Sequence, residues 1–516
     1  MMLYAIELAL RLGEWGAPSR LLETVTVDGV DWVKTNPGYL RSVFTAAEVP
    51  SPLPVWTMKE KKPGTKRVVL LGESAAAGFP VNDYHLGRLV EVVWHVRHPD
   101  TPLEVINLSA VAVDTGVLRA FAREAMMLNP DALILYAGHN EAIGPSFKRA
   151  SRWRLSLMRT HIGEVTRRLA ARLVPSASRP EWTGLNAFRD MNMDFDAAEL
   201  DAMYRRSANH LREIYALGAP VLVAVPAINL NDWEPGGGAA STEAYREAKA
   251  LAEQGDRDAA WELYRRAADL DTKRIRADSR VRDLLRSQPA TVVDIDRWLH
   301  EQNPVFKTDR EFFVEHVHLT FAGRVAVAAR IVDGLEAMLL VREMKNDPST
   351  WWSEFPRVIE EAARRTMFNG YDEHDMWSLA WKLLRLEVFQ DSFGWERRRD
   401  ELANDVVRLR NRAIRDWPVG RLAQAYDDAT TLRPDDPLLH FTAGRLLGLQ
   451  RSFDTAEQAF RRGFALMPNH SDAWLNYGMM SLARQNLAGA REALERVEQI
   501  DPHAKGLAAL RAAIRP

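Results

Sequence analysis

The chain has 516 residues, 47% hydrophobic and 27% charged, with a formal net charge of −2 and no cysteine. So long a chain exceeds one ordinary core and implies about two to four domains. The near-neutral balance removes any global electrostatic case for nucleic acid, and the missing thiols remove disulfides, thiolate catalysis and cysteine-held zinc.

The opening MMLYAIELALRLGEWG carries Glu7 and Arg11 inside its apolar run, which makes it too short and too charged to span a bilayer. No basic region and small-residue cleavage site frame it as a signal peptide. As written the chain reads as cytoplasmic. As the trailing end of a membrane segment it would read as extracytoplasmic and tethered, so localisation stays open. Residues 1–65 read as a short helix followed by Pro- and Gly-punctuated loop.

From Arg67 the pattern alternates. VVLL (68–71), LEVINLS (103–109), ALILYAG (132–138), PVLVAVP (220–226) and TVVDI (291–295) are short apolar runs that read as strands. Helical stretches lie over about Leu86–Val96, Val117–Leu128 and Ala322–Leu340, and Ala75–Ala77 invites a helix straight after the first strand. Apolar strands alternating with helices imply a doubly wound, mostly parallel α/β sheet covered on both faces.

Three stretches interrupt or follow that pattern. FKRASRWRLSLMRTHIGEVTRRLAARLVPSASR (147–179) holds nine Lys or Arg and only Glu164 as an acid. Trp153, Leu155, Met158, Ile162, Val165 and Leu169 would form its apolar stripe. Such a basic amphipathic helix either touches an anionic membrane surface or packs on the catalytic part, and packing is the commoner use. NDWEPGGGAAS opens a helical insertion over 233–280, in which Ala248, Leu251, Ala260, Tyr264 and Ala267 fall at repeat-like spacings. An ordinary helical hairpin fits it equally well. Beyond a helical connector (343–402), the tail repeats: Pro434, Pro468 and Pro502 are evenly spaced, Gly444 pairs with Gly478, Ala456 with Ala490, Phe460 with Leu494, and Trp474 takes the opening aromatic position. That pattern resembles the tetratricopeptide repeat, strongly over 437–502 and more weakly over 403–434, where Trp417-Pro418 disturbs the turn. The array is assigned to 403–516.

Three motifs sit at strand ends. Gly-Glu-Ser (72–74) follows the first strand, Gly-His-Asn-Glu (138–141) follows the third, and Glu-His-Val-His (315–318) lies between the last strand and the last helix. Strand ends gather along one edge of a doubly wound sheet, where ligands bind. A serine, an asparagine and a histidine brought there together are what acyl transfer needs: nucleophile, base and oxyanion donors. Taken alone, Ser74 also reads as a helix N-cap and Asn140 as a turn residue. His139 and His316 are expected at the surface or behind the site. Glu73 is expected to complement a helix dipole. The Glu-His-Val-His cluster offers fewer ligands than metal sites usually draw on, so no metal is expected.

The order of these blocks is similar to that of the SGNH/GDSL hydrolase family, with Gly-Glu-Ser for Gly-Asp-Ser and Glu-x-x-His for Asp-x-x-His. Joined to tetratricopeptide repeats, it resembles a bacterial subgroup of that family. The resemblance covers 66–232 and 281–342, the two parts of one SGNH-hydrolase-like, flavodoxin-like three-layer domain. It implies Ser74 as nucleophile, His318 as general base and Glu315 as the acid that orients it. Asn140 would serve as an oxyanion donor beside Gly138. The family's second-block glycine is missing from INLSAVAVDTG, and Ala112 or Val113 stands in for it. The implied activity is an esterase or O-acyltransferase acting on a carbohydrate, lipid or small-metabolite ester without a cofactor. The rival is an impaired hydrolase domain serving as a repeat-based protein scaffold.

Overall fold

The structure is a computed structural model that describes residues 2–13, 15, 19–44, 49, 51–147, 153, 156–157, 160–173, 195–302, 309–340, 348–390 and 392–514. The central sheet has five strands: β4 (Lys66–Gly72), β5 (Leu103–Ser109), β6 (Ala132–Tyr136), β7 (Val221–Val225) and β8 (Thr291–Asp294). They lie in the order β5-β4-β6-β7-β8, all parallel. Val68 to Leu71 have no exposure, which is why this strand is an unbroken apolar run. Its side chains alternate between two cores. Val68 and Leu70 join the helices Leu86–Arg97 and Phe321–Leu339 on one face. Val69 and Leu71 join Thr115–Ala125, Ala197–Tyr215 and the hairpin of Ala239–Gln254 with Arg257–Leu270 on the other. This is the doubly wound, mostly parallel α/β layering that the strand and helix pattern implies. The chain departs in opposite directions from β4 towards β5 and β6, so the end of β4 lies at a switch point.

Two local expectations are corrected. The amino-terminal segment is not only helix and loop: after a helix (Met2–Leu12) it forms an antiparallel sheet of β1 (Leu22–Val27), β2 (Val30–Thr35) and β3 (Trp56–Met58). Asp28-Gly29 turns β1 into β2 with both residues at positive φ, the chemistry of a tight hairpin. Nor does a helix follow β4. The chain makes turns through 74–80, with Ala77 N–H donating to Glu73 O and Phe79 N–H to Ser74 O, and helix resumes at Leu86.

Of the basic stretch, helix His161–Leu173 is described and meets the first helix, where Glu7 accepts from the His161 and Ile162 amides. Trp153 and Leu169 are exposed, while Ile162 and Val165 are half-buried. Leu155 and Met158 lie outside the described residues.

The carboxyl-terminal helices Val419–Leu432, Pro437–Leu449, Phe453–Leu466, Ser471–Ala483, Leu487–Ile500 and Leu507–Ile514 stack into an array with its own core. The repeat is visible atom by atom. His440 Nε2 meets the Pro434 carbonyl at 3.0 Å, and Trp474 Nε1 donates to the Pro468 carbonyl at 3.0 Å. The array is docked on the sheet domain through buried polar contacts. Arg88 Nε lies 2.9 Å from Asp436 Oδ2 with both side chains buried, and Arg433 joins Asp436 to Glu91. Asn469 Nδ2 donates to the Val55 carbonyl at 2.8 Å, and the connector helix Gly370–Leu384 is held separately by Tyr84 donating to Asp372 at 2.6 Å.

Candidate active site

At the end of β4 a Cβ on Gly72 would fall 2.3 Å from that of Ala76, so only glycine allows the sharp turn that follows. That turn presents Ser74 at the floor of a cleft of about 400 Å³. The Ser74 hydroxyl caps no helix. Its Oγ lies 2.7 Å from His318 Nε2, and His318 Nδ1 lies 2.7 Å from Glu315 Oε1. Glu315 beside Nδ1 favours the ring tautomer that carries its proton there, which leaves Nε2 to accept from the hydroxyl.

The loop carrying Glu315 and His318 is tightly built. Phe313 bridges to Leu319, and Val314 N–H donates to the His318 carbonyl. Glu315 Oε1 also accepts the backbone amides of Val317 and His318. Asn229, just beyond β7, holds this loop from outside: its Nδ2 donates to the Glu315 carbonyl and its amide to the His316 carbonyl. Arg276 in turn donates to the carbonyls of Asn229 and Trp233. The Phe79 ring packs on the imidazole of His318, centroids 4.8 Å apart. Neither Asn229 nor Arg276 sits in a recognisable motif, and only the strand-end position of Asn229 could have signalled it.

His316 and His139 are both buried, which corrects the surface placement. His316 Nδ1 rests against Glu315 Oε2, so one carboxylate serves two imidazoles. Burial alone would raise the Glu315 carboxyl, but the charges and hydrogen bonds of His316 and His318 outweigh it and hold it well below the usual range. Desolvation pushes His316 and His139 down, which favours their neutral forms. Glu315, His316 and His318 form a group whose donor atoms lie within 4.8 Å of one another, the spacing of a metal site. Here those atoms face each other, and the remaining nitrogen of His318 faces Ser74.

Asn140, Ala112 and Ser74 line the same cleft. Asn140 Nδ2 donates one hydrogen to the Val113 carbonyl at 2.9 Å, which fixes the amide and leaves it a second N–H. Ala112 has φ +62°, a left-handed conformation in which an alanine is disfavoured and a glycine is not. Val113 is fully buried and takes part through its carbonyl. Gly138 is turned to another task. Its amide donates to Glu73 Oε1 at 3.0 Å, its φ is +128°, and a Cβ there would sit 2.9 Å from Val281.

Glu73 does not complement a helix end. It is buried and accepts from the amides of Gly138 and His139, tying the loop after β4 to the loop after β6. Burial and repulsion from Glu141 push its carboxyl well up. Glu141 accepts from the Thr115 amide and hydroxyl and from Ser207; burial and the nearby Asp114 raise it to about 7.

The tetratricopeptide repeat family model matches residues 449–514, so the carboxyl-terminal array carries this repeat. No curated protein sequence matches the chain. Among solved structures, a gut microbial diltiazem-metabolizing enzyme is 10% identical with a TM-score of 0.30; the match covers 53% of this chain and 48% of that one, about half its length. A catalytic mutant of the acetylxylan esterase Axe2 from Geobacillus stearothermophilus is 12% identical over 54% of this chain and 96% of its own, TM-score 0.30. A lipase/acylhydrolase from Enterococcus faecalis is 15% identical over 55% and 100%, TM-score 0.28. Scores this low leave the site to be read from the chain's own geometry.

Proposed function

We propose that the chain is a serine-dependent ester hydrolase or O-acyltransferase that works through an acyl-enzyme on Ser74. The observation that carries this reading is the unbroken line from Ser74 Oγ through both ring nitrogens of His318 to Glu315, each step 2.7 Å, at the floor of an open cleft. A serine hydroxyl is hardly ionised near neutral pH and attacks only when a base takes its proton. His318 accepts that proton as Oγ bonds to the ester carbonyl carbon and the carbonyl electron pair moves onto oxygen. The ionised Glu315 stabilises the imidazolium so formed. The second N–H of Asn140 and the backbone amides of Ser74 and Ala112 are the donors assigned to the oxyanion.

Collapse of the tetrahedral intermediate re-forms the carbonyl and expels the alcohol, which leaves with the proton from His318. A second hydroxyl compound then gives its proton to His318 and attacks the acyl-enzyme, releasing Ser74. Water makes the reaction a hydrolysis and an alcohol makes it a transfer. The substrate classes this chemistry accepts are esters of carbohydrates, lipids and small metabolites. A protein partner of the repeats would meet the array on surfaces that the sheet domain leaves free. The test is the initial rate with p-nitrophenyl acetate. Ser74→Ala and His318→Ala should each lose at least about a thousandfold in kcat/KM. Turnover that survives Ser74→Ala contradicts the reading.

A further inference from the structure

The cleft over Ser74 does not end at the sheet domain. Its far wall is Asn469 to Asp472 and Asp501 to Lys505, from two successive turns of the repeat array. A second hollow of about 500 Å³ runs on between the loop 80–85, the helix Gly370–Leu384 and the repeat helices Pro437–Leu449 and Ser471–Ala483. The two hollows share Leu53, Pro54, Asn82, His470 and Asp472 as walls, so they are neighbours along one groove. Each reaches the roughly 300–1,000 Å³ that holds a drug-sized ligand, and together they exceed what a small ester needs.

We infer that this groove binds the alcohol part of the substrate, an extended, uncharged polyhydroxy chain such as an oligosaccharide, and that the repeat array supplies its recognition surface. The inference rests on the Ser74 reading for the reaction, but not for the binding. The chemistry of the walls argues for that occupant. Four acids (Asp83, Asp375, Asp472, Asp501) and three bases (Lys382, Arg445, Lys505) line the two hollows together, so the walls do not select an anionic or a cationic ligand by sign. A long acyl chain laid there would strip water from these charges without returning a hydrogen bond, a cost that hydroxyl groups avoid. Apolar surfaces at the half-buried Pro54 and Phe79 lie among them and offer faces for the C–H sides of sugar rings. The inner helices of tetratricopeptide arrays commonly form concave binding surfaces. In this chain the helices at 437–449 and 471–483 turn that surface towards the nucleophile's own loop.

The test is a titration of the full-length Ser74→Ala chain with unacylated gluco-, xylo- and galacto-oligosaccharides from monosaccharide to hexasaccharide, read by calorimetry. At least one series should bind about tenfold tighter at its long end, because each added subsite contributes a net hydrogen bond or two. The triple variant Asp472→Asn, Asn476→Ala, Lys505→Ala, on groove residues exposed to solvent, should erase that gain while its circular dichroism and melting curve stay those of the parent. Flat affinity across all three series overturns the inference, as does a length gain that survives the triple variant. Tighter binding of decanoate than of any sugar overturns it too, by assigning the groove to an acyl chain. Because the titration uses a chain without the nucleophile, these outcomes are independent of the Ser74 reading, which p-nitrophenyl acetate turnover by the parent chain scores separately.

Discussion

At the scale of single residues, the site depends on pairs of atoms held by loops far apart in sequence. Asn140 illustrates this: the Val113 carbonyl fixes its amide plane, and its remaining N–H becomes a preorganised donor. Such a donor acts mainly on the transition state, so Asn140→Ala should lower kcat by about a hundred- to a thousandfold with little change in KM. Steady-state kinetics on p-nitrophenyl acetate checks it, and a defect in KM alone contradicts the role. That Ser74, Asn140 and His318 meet at one cleft was legible because Ser74 and Asn140 sit in short polar motifs directly beyond apolar strands and His318 sits in Glu-x-x-His just ahead of the last helix of the sheet domain. Glu73 was misplaced, and of the two placements read for His139 and His316 the surface one fails, because the surroundings of all three are set by other loops. Glu73 meets the amide of Gly138, 65 residues away, and no local pattern announces that a carboxylate will be buried there. Gly138 was assigned to the oxyanion by its motif, whereas its amide is taken by that same carboxylate.

At the scale of elements, the five parallel strands were legible because their apolar runs are nearly continuous, fully buried in β6 and β7, nearly so in β4, and half-buried in part at the edges β5 and β8. The antiparallel β1–β2 hairpin was not read as one, although TVTVDGVDWVKT carries its signal in Asp28-Gly29 between alternating runs. β3 is only three residues long and pairs across a long connection, which leaves no local trace. The repeats were legible by period, but their docking was not, because it relies on single side chains. Asp436 caps the helix Pro437–Leu449 through the Leu438 and Leu439 amides and also faces Arg88 and Arg433. Burial would raise its carboxyl, but the two guanidinium groups outweigh that and hold it far below the usual range. Asp436→Ala leaves both cations without this partner and should cost about 3–5 kcal/mol in urea unfolding. A loss below about 1 kcal/mol would mean the pair contributes no more than an exposed one.

At the scale of the whole molecule, the interior sets a pH dependence of opposite sign to that of Asp436. An unfolded Glu141 carboxyl ionises near its ordinary 4.5, whereas in the folded chain burial and Asp114 move it to about 7. Between those values the unfolded state binds fewer protons, so this group lowers stability as pH rises from about 4.5 to about 7. Glu141→Gln should therefore stabilise the protein more at pH 8 than at pH 5, by on the order of 1–3 kcal/mol. Thermal melts of parent and variant at the two values decide it, and an equal effect at both contradicts the raised carboxyl. The sheet domain and the repeat array meet over the same cleft, so Ser74 belongs to one part and is walled by the other. The proposed reaction requires that Ser74 be activated in that setting. The most direct measurement of that activation is a reaction of the intact folded chain with a fluorophosphonate, located by peptide mass spectrometry. The account predicts a single adduct on Ser74 that is absent from His318→Ala. An adduct on any other residue, or labelling of Ser74 that persists at full rate without His318, would contradict it.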